Sequence, residues 1–374
     1  MKKVSIFAIL MAIVLVTSMV LVGCSSTSTP SKTTAPATTA PPVTTAPPAS
    51  TPAAKVFNLK FSYHTPEKAS MVGAYFKPWT AAIEQASNGR IKITHYAGES
   101  LVKMQDQYDG LVSGLSDIAM IELDNTPGRF PKTEFYTLPF VSNSPAIDAQ
   151  VYYDILQKYS VADELKEVKL LATCTISGNH YVGNKEVKTL ADFKGQRMRS
   201  GAKVEGMIIQ QLGATPIEIS TADMATSLER GLVDSEFLTM SGILSFGVKD
   251  VTKYRTYCSV FTKSWAICMN KKLWDSMPAD LQQVIMDNSG AEKSRYYSAE
   301  NDKLEAGAIK AIEGSDKGQG KPPIYYLPDA EKANWKAALM PVWDKWIAEM
   351  EAKKLPGKAI VDDVKALTAK YSAK

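Results

Sequence analysis

The sequence predicts an α/β protein of two lobes. Strand-like and helix-like segments alternate, a short pattern recurs in both halves, and the length beyond a low-complexity leader, about 320 residues, exceeds one ordinary core. The alternation begins in "KVFNLKFSYH", where Phe57, Leu59 and Phe61 alternate with polar residues as on a half-buried strand that Pro66 ends. Ser70 to Ser87 follows with Tyr75, Phe76, Trp79, Ile83 and Ala86 near helical spacing, closed by Asn88-Gly89 as a left-handed cap. "RIKITHY" is the second strand. Leu101 to Ser113 reads as a helix stopped by Gly114, and "DIAMIEL" as a third, more apolar strand. This order predicts a mostly parallel sheet with helices on both faces.

The recurring pattern is "GLSD" at 114–117 before "IAMIEL" and "GLVD" at 231–234 before "SEFLTM", each with a leucine three residues before the glycine, Leu111 and Leu228. Helix, glycine stop, leucine, aspartate and strand thus occur twice, 117 residues apart, as two similar lobes would produce. Two α/β lobes facing one another enclose a cleft, and ligands bind where the carboxyl ends of strands meet it.

The C-terminal third reads as helical. Pro278 opens a long amphipathic run from Ala279 to about Ile312 that "GSDKGQGKPP" breaks; Asp329 to Ala352 and Lys358 to Tyr371 follow as packing helices, with Trp335, Trp343 and Trp346 as core. Arg255–Phe261 and Trp265–Asn270 can be drawn as a hairpin turning at Thr262-Lys263-Ser264. That places Cys258 and Cys268 opposite each other, as a cross-strand disulfide or as two buried thiols.

At the other end, Lys2 and Lys3 precede the apolar run "IFAILMAIVLVTSMVLV", which reads as a secretory signal or as a membrane anchor. Leu21-Val22-Gly23-Cys24 resembles the bacterial lipobox, which implies a signal peptide over 1–24 and acylation of Cys24 outside the cytoplasm. Residues 25–54 are almost wholly Ser, Thr, Pro and Ala, a composition that cannot bury enough apolar surface to offset ordering entropy and predicts a disordered tether. A formal net charge of +4 over 374 residues, with acids interleaved among the bases, argues against a nucleic-acid partner. His64, His95 and His180 are scattered, no Cys or His cluster has metal-ligand spacing, and neither a G-x-S-x-G nor a phosphate loop occurs. The sequence therefore gives no sign of an enzyme, a cofactor or a metal site.

"NGRIKITHYAGESL", "GLSDIAMI", "LPF" at 138–140, "ADFKGQRMRSG", "LGATPIEIS", "LERGLVDSE" and "WDSMPADLQQVI" fall in the order and spacing of the solute-binding proteins of TRAP transporters. The chain resembles that family from about Val56 to at least Ser289. The resemblance implies a two-lobed periplasmic-binding-protein-like (type II) fold with a long bracing helix, with lobe I over 55–176 and 262–303 and lobe II over 177–261 and 304–374. It implies a monomeric receptor that hands a small organic acid to membrane subunits. In "DFKGQRMRSG" it places Arg199 in the cleft as the partner of the ligand's carboxylate, whose geometry a guanidinium fork matches as a lysine cannot. Arg197, on the same strand face, is expected near the strand mouth beside solvent or an acid.

Where sialic-acid-binding relatives carry a second arginine this chain has Asn179, and near their asparagine it has Phe237 and Leu238, which implies a more apolar pocket. Glu236-Phe237 partly echoes a Glu-Trp pair that in another branch helps hold a metal-carboxylate ligand, which leaves Glu236 either as an acceptor of a ligand hydrogen bond or as a partner of a bound calcium or sodium ion. Strand-end topology adds Tyr63, His64, Glu122 and Trp265, and His180 beside Asn179, as further ligand-facing candidates. The remaining functional readings are a binding lipoprotein of an ABC-type or sensory system, and an α/β enzyme whose triad forms only in space.

Overall fold

A computed structural model describes residues 55–126, 128–141 and 144–373. The signal segment, Cys24 and the tether lie outside the described residues. Two sheets organise the chain. The first has five strands, β1 (Phe57–Ser62), β2 (Ile91–Tyr96), β3 (Ile118–Ile121), β4 (Val168–Thr175) and β10 (Ser264–Asn270), in the order β2-β1-β3-β10-β4. The second has six: β5 (His180–Gly183), β6 (Arg197–Ser200), β7 (Thr215–Glu218), β8 (Ser235–Leu238), β9 (Tyr254–Tyr257) and β11 (Tyr325–Tyr326), in the order β11-β9-β5-β8-β6-β7. The expected alternation holds in β1, where Phe57, Leu59 and Phe61 are buried against Phe76, Trp79 and Ile83 of the following helical segment. β1 is parallel to β2 and β3, whereas β10, arriving from the other sheet, runs antiparallel to β3 and β4.

Both copies of the glycine-leucine-aspartate pattern build the same joint. Gly114 (φ 82°) and Gly231 (φ 66°) are left-handed helix stops, which a Cβ would strain. Leu111 and Leu228 are buried. Asp117 then pairs with Lys60 of the parallel neighbour β1: the Asp117 amide donates to the Lys60 carbonyl at 3.0 Å, and its carboxylate accepts from the Lys60 amide at 2.8 Å. Asp234 pairs with Arg197 of β6 in the same way, at 2.7 and 2.9 Å. Even the basic side chains correspond, since Lys60 Nζ reaches the Gly114 carbonyl at 3.4 Å and Arg197 Nη2 the Gly231 carbonyl at 2.8 Å. The echo in the sequence is one structural joint used in both sheets.

The hairpin drawn through Thr262-Lys263-Ser264 does not form. β9 belongs to the second sheet and β10 to the first, and residues 258–263 cross between them beside the other crossing, 176–179. The two crossings pair as a ribbon: Asn179 N donates to Phe261 O at 2.6 Å, Val260 N to Asn179 O at 3.0 Å and Ile176 N to Lys263 O at 3.2 Å. Gly178 is required at the crossing, because a Cβ there would lie 1.8 Å from Ser259 Oγ. Cys174, Cys258 and Cys268 are buried free thiols.

Two helical segments and the packing of a third differ from expectation. Ser70–Ser87 opens as a wide π turn, Val72–Phe76, before the helix Lys77–Ala86; the wider turn accommodates Pro78, which lacks an amide hydrogen and would crowd the carbonyl four residues back. The run from Ala279 breaks at Gly290 (φ 80°) into Ala279–Asp287, Gly290–Ser298 and Glu300–Gly318. The helix Gly357–Ser372, expected with the second lobe, packs on Pro145–Tyr159 beside the first sheet, where Lys158 and Tyr159 bond to Asp363.

Candidate functional site

At the carboxyl ends of β1, β3, β6 and β8 and beside the ribbon lies a cavity of about 90 Å³. Met71, Ile176, Met224, Phe237, Leu238 and Trp265 supply apolar wall; Arg199, Glu122, Lys263, His64 and Asn179 bring the polar groups. A wider opening of about 290 Å³ shares His64, Thr221, Ser245 and Phe246 with it.

Arg199 is positioned by its own segment. Gly195 (φ 75°) turns the chain into β6, whose register with β7 sets Arg199 against Ile217. The side chain is 3 % exposed and lies across Gly201, where a Cβ would come within 2.5 Å of Nη2 and 2.9 Å of Nη1. Nε donates to the Ile219 carbonyl at 3.0 Å and Nη2 to Thr221 Oγ1 at 3.3 Å. Nη1 has no hydrogen-bond partner among the described residues, so the guanidinium keeps an open edge at the cavity while its far edge is fixed. Arg197 points elsewhere, its Nη2 3.1 Å from Asp234 Oδ1.

Opposite Arg199 stands a buried ion cluster. Lys263 Nζ lies 2.8 Å from Glu122 Oε1 at the end of β3 and 3.5 Å from Glu205 Oε2 at the start of the helix Lys203–Gln211, so one ammonium ties residues of both lobes. Trp265 Nε1 donates to Glu122 Oε2 at 3.1 Å, and His64 Nε2 lies 3.9 Å from the same oxygen. Burial opposes ionisation of Glu122, but the Lys263 ammonium and the hydrogen bonds from Lys263 and Trp265 outweigh it and hold the carboxyl down at about 2. Burial pushes His64 below its ordinary value, favouring neutral imidazole. Asp124, buried near Glu122 and bonded to Thr137 Oγ1 at 2.7 Å, is pushed up to about 6.

Seven residues singled out in the sequence border the cavity: His64, Glu122, Asn179, Arg199, Phe237, Leu238 and Trp265. Three do not. Tyr63, adjacent to His64 and so facing the other way, is buried in the first core with its hydroxyl 3.0 Å from His95 Nδ1. His180 accepts at Nδ1 from the amides of Cys258 and Ser259, stacks 3.9 Å from Tyr257 and presents Nε2 to Glu305 at 3.3 Å, which makes it a fastener of the ribbon. Glu236 is fully buried and does not line the cavity; neither carboxyl oxygen has a hydrogen-bond partner among the described residues, and burial, which outweighs Arg199, pushes it up to about 8. Asn179 also donates from Nδ2 to the Phe261 carbonyl at 3.2 Å. Lys263 and Glu205 are site residues the sequence reading missed. Their signal was present: Lys263 is the only charge between Tyr257 and Asn270.

Two sheets joined by a paired ribbon, with a small, mostly apolar cavity between them and one guanidinium open into it, define a two-lobed solute receptor. Residues 61–350 match the bacterial extracellular solute-binding proteins, family 7 (DctP), and the chain belongs to that family, the solute-binding proteins of TRAP transporters. Among similar proteins, the C4-dicarboxylate-binding periplasmic protein DctP of Rhodobacter capsulatus is 24 % identical over 301 residues, 76 % of this chain and 84 % of the relative. A TRAP solute-binding protein from Rhodoferax ferrireducens, in complex with copurified benzoate, superposes with a TM-score of 0.80 at 24 % identity, over 85 % of this chain and 99 % of that one. A marine metagenome TRAP protein specific for aromatic acid ligands, with 3-hydroxybenzoate, does so with a TM-score of 0.79 at 28 % identity, over 85 % and 99 %. These likenesses carry the two-lobed periplasmic-binding-protein-like fold.

Proposed function

We propose that the protein is the extracytoplasmic receptor of a TRAP-type secondary transporter, tethered through Cys24, that binds a small organic acid by its carboxylate between the lobes and delivers it to membrane subunits. The observation that carries the reading is the open edge of Arg199, a buried cation fixed by Ile219 and Thr221, with Nη1 unpartnered among the described residues, at a mostly apolar cavity. A carboxylate there gains two charge-assisted hydrogen bonds away from water. Benzoate and 3-hydroxybenzoate in similarly folded relatives support an acid of that size. Contacts made to both lobes at once favour the closed arrangement, so ligand shifts the population toward it. Among the described residues the cavity wall shows no hydrogen-bonded nucleophile-base pair, which supports binding without turnover. The test is a thermal-shift screen of carboxylates followed by calorimetry. The reading requires a binder whose affinity falls on Arg199→Ala with no product formed, and it fails if no carboxylate raises the melting temperature or if the bound acid is turned over.

A further inference from the structure

Arg199 is not the only cation at the cavity; Lys263 also borders it. The two differ in their surroundings. Arg199 is fixed by neutral acceptors, a carbonyl and a hydroxyl, and so keeps its charge uncompensated. Lys263 is held by two carboxylates, Glu122 at 2.8 Å and Glu205 at 3.5 Å. The carboxylate count around Lys263 therefore matches or exceeds the positive charge, and a second anionic group placed beside it meets acid before it meets base.

Glu236 does not cancel Arg199, because burial keeps its carboxyl mostly protonated at neutral pH. Asp124 faces the Lys263 cluster from the first lobe and adds acid rather than base to it. Of the remaining wall near the cluster, Trp265, Met71 and Phe237 offer an anion no donor, since the Trp265 Nε1–H is already given to Glu122, and His64, whose Nδ1 has no hydrogen-bond partner among the described residues, offers a neutral N–H and no charge.

We propose that the ligand is a monocarboxylate with an uncharged, flat or compact apolar body, and that Glu122, by occupying Lys263, is the residue that turns dicarboxylates away. The inference rests on the receptor reading above and sharpens it to a substrate class. Discrimination of this kind comes from what the pocket does to the wrong ligand: a second carboxylate must leave water for a wall whose ammonium is engaged and whose nearest free charges repel it. The right ligand asks nothing of Lys263.

The test compares two ligands of the same shape. The 3-nitrobenzoate ion and isophthalate differ in one planar group, neutral in the first and anionic in the second; succinate serves as a small diacid. Calorimetry on the purified protein is expected to give 3-nitrobenzoate at least tenfold tighter than isophthalate, with succinate weaker still. In Glu122→Gln, which keeps an acceptor for Trp265 and removes one negative charge from Lys263, that preference is expected to shrink at least tenfold, chiefly through tighter isophthalate binding. Glu205→Gln gives the same direction from the other lobe and stands in if Glu122→Gln does not fold. Equal affinity of the wild type for isophthalate and 3-nitrobenzoate, or an unchanged preference in a folded Glu122→Gln protein, overturns the proposal while leaving the receptor reading intact. Failure of every carboxylate to bind the wild type overturns both.

Discussion

Glu236 offers a perturbation whose magnitude follows from where the structure puts it. The carboxyl is fully buried without a hydrogen-bond partner among the described residues, and burial pushes it from the ordinary 4.5 up to about 8. The folded protein therefore holds a proton that the unfolded chain has released throughout that interval. Below pH 4.5 both states are protonated and the group contributes nothing. As pH rises the unfolded state gains by ionising, and stability falls by about 1.4 kcal/mol per pH unit until the folded group also ionises near 8.

Between pH 5 and pH 7.5 the loss is about 3 kcal/mol, and Glu236→Gln, neutral at every pH, escapes it. For about 320 folded residues, at roughly 2.1 cal/mol/K of unfolding entropy per residue, this is about 5 °C in melting temperature. Calorimetric melting of wild type and variant at both pH values isolates the difference. The variant is expected to match the wild type near pH 5 and to exceed it by about 5 °C at pH 7.5. Parallel melting curves across the whole range refute the reasoning.

Further outcomes follow from other contacts. Gly201→Ala drives a Cβ into the Arg199 guanidinium, so carboxylate affinity by calorimetry is expected to fall at least tenfold while the melting temperature moves by less than about 3 °C, the scale of an ordinary surface substitution. Gly178→Ala collides with Ser259 and is expected to destabilise by more than about 2 kcal/mol in urea unfolding; adding Ser259→Gly, at a residue with φ 51°, is expected to restore most of the loss. Asp117→Ala and Asp234→Ala remove matching acceptors from Lys60 and Arg197, and similar losses of about 1–3 kcal/mol each are expected by the same assay.

Much of this architecture was legible in the sequence because it is encoded locally. Phe57, Leu59 and Phe61 announce β1 by parity alone, and Gly114 and Gly231 announce their joints because few residues other than glycine tolerate the left-handed stop. The place of Arg199 at the cavity was legible through its motif. The failures share one cause: local pattern does not say which sheet a strand joins. Residues 255–270 carry the spacing of a hairpin, yet the chain crosses between lobes at Thr262, and the lysine assigned to a turn became the centre of the buried ion cluster. Parity explains Tyr63, since of two adjacent strand-end residues only one faces the cleft. His180 reads as a ligand-facing histidine until its ring nitrogens are traced to Cys258, Ser259 and Glu305.

The most direct measurement is a crystal structure of the protein with its bound acid. The expected result is two carboxylate oxygens at about 2.7–2.9 Å from the Arg199 guanidinium nitrogens, with the ligand body against Phe237 and Trp265 and the Lys263–Glu122 pair unbroken. An acid bound elsewhere, with Arg199 still tied only to Ile219 and Thr221, would contradict the account.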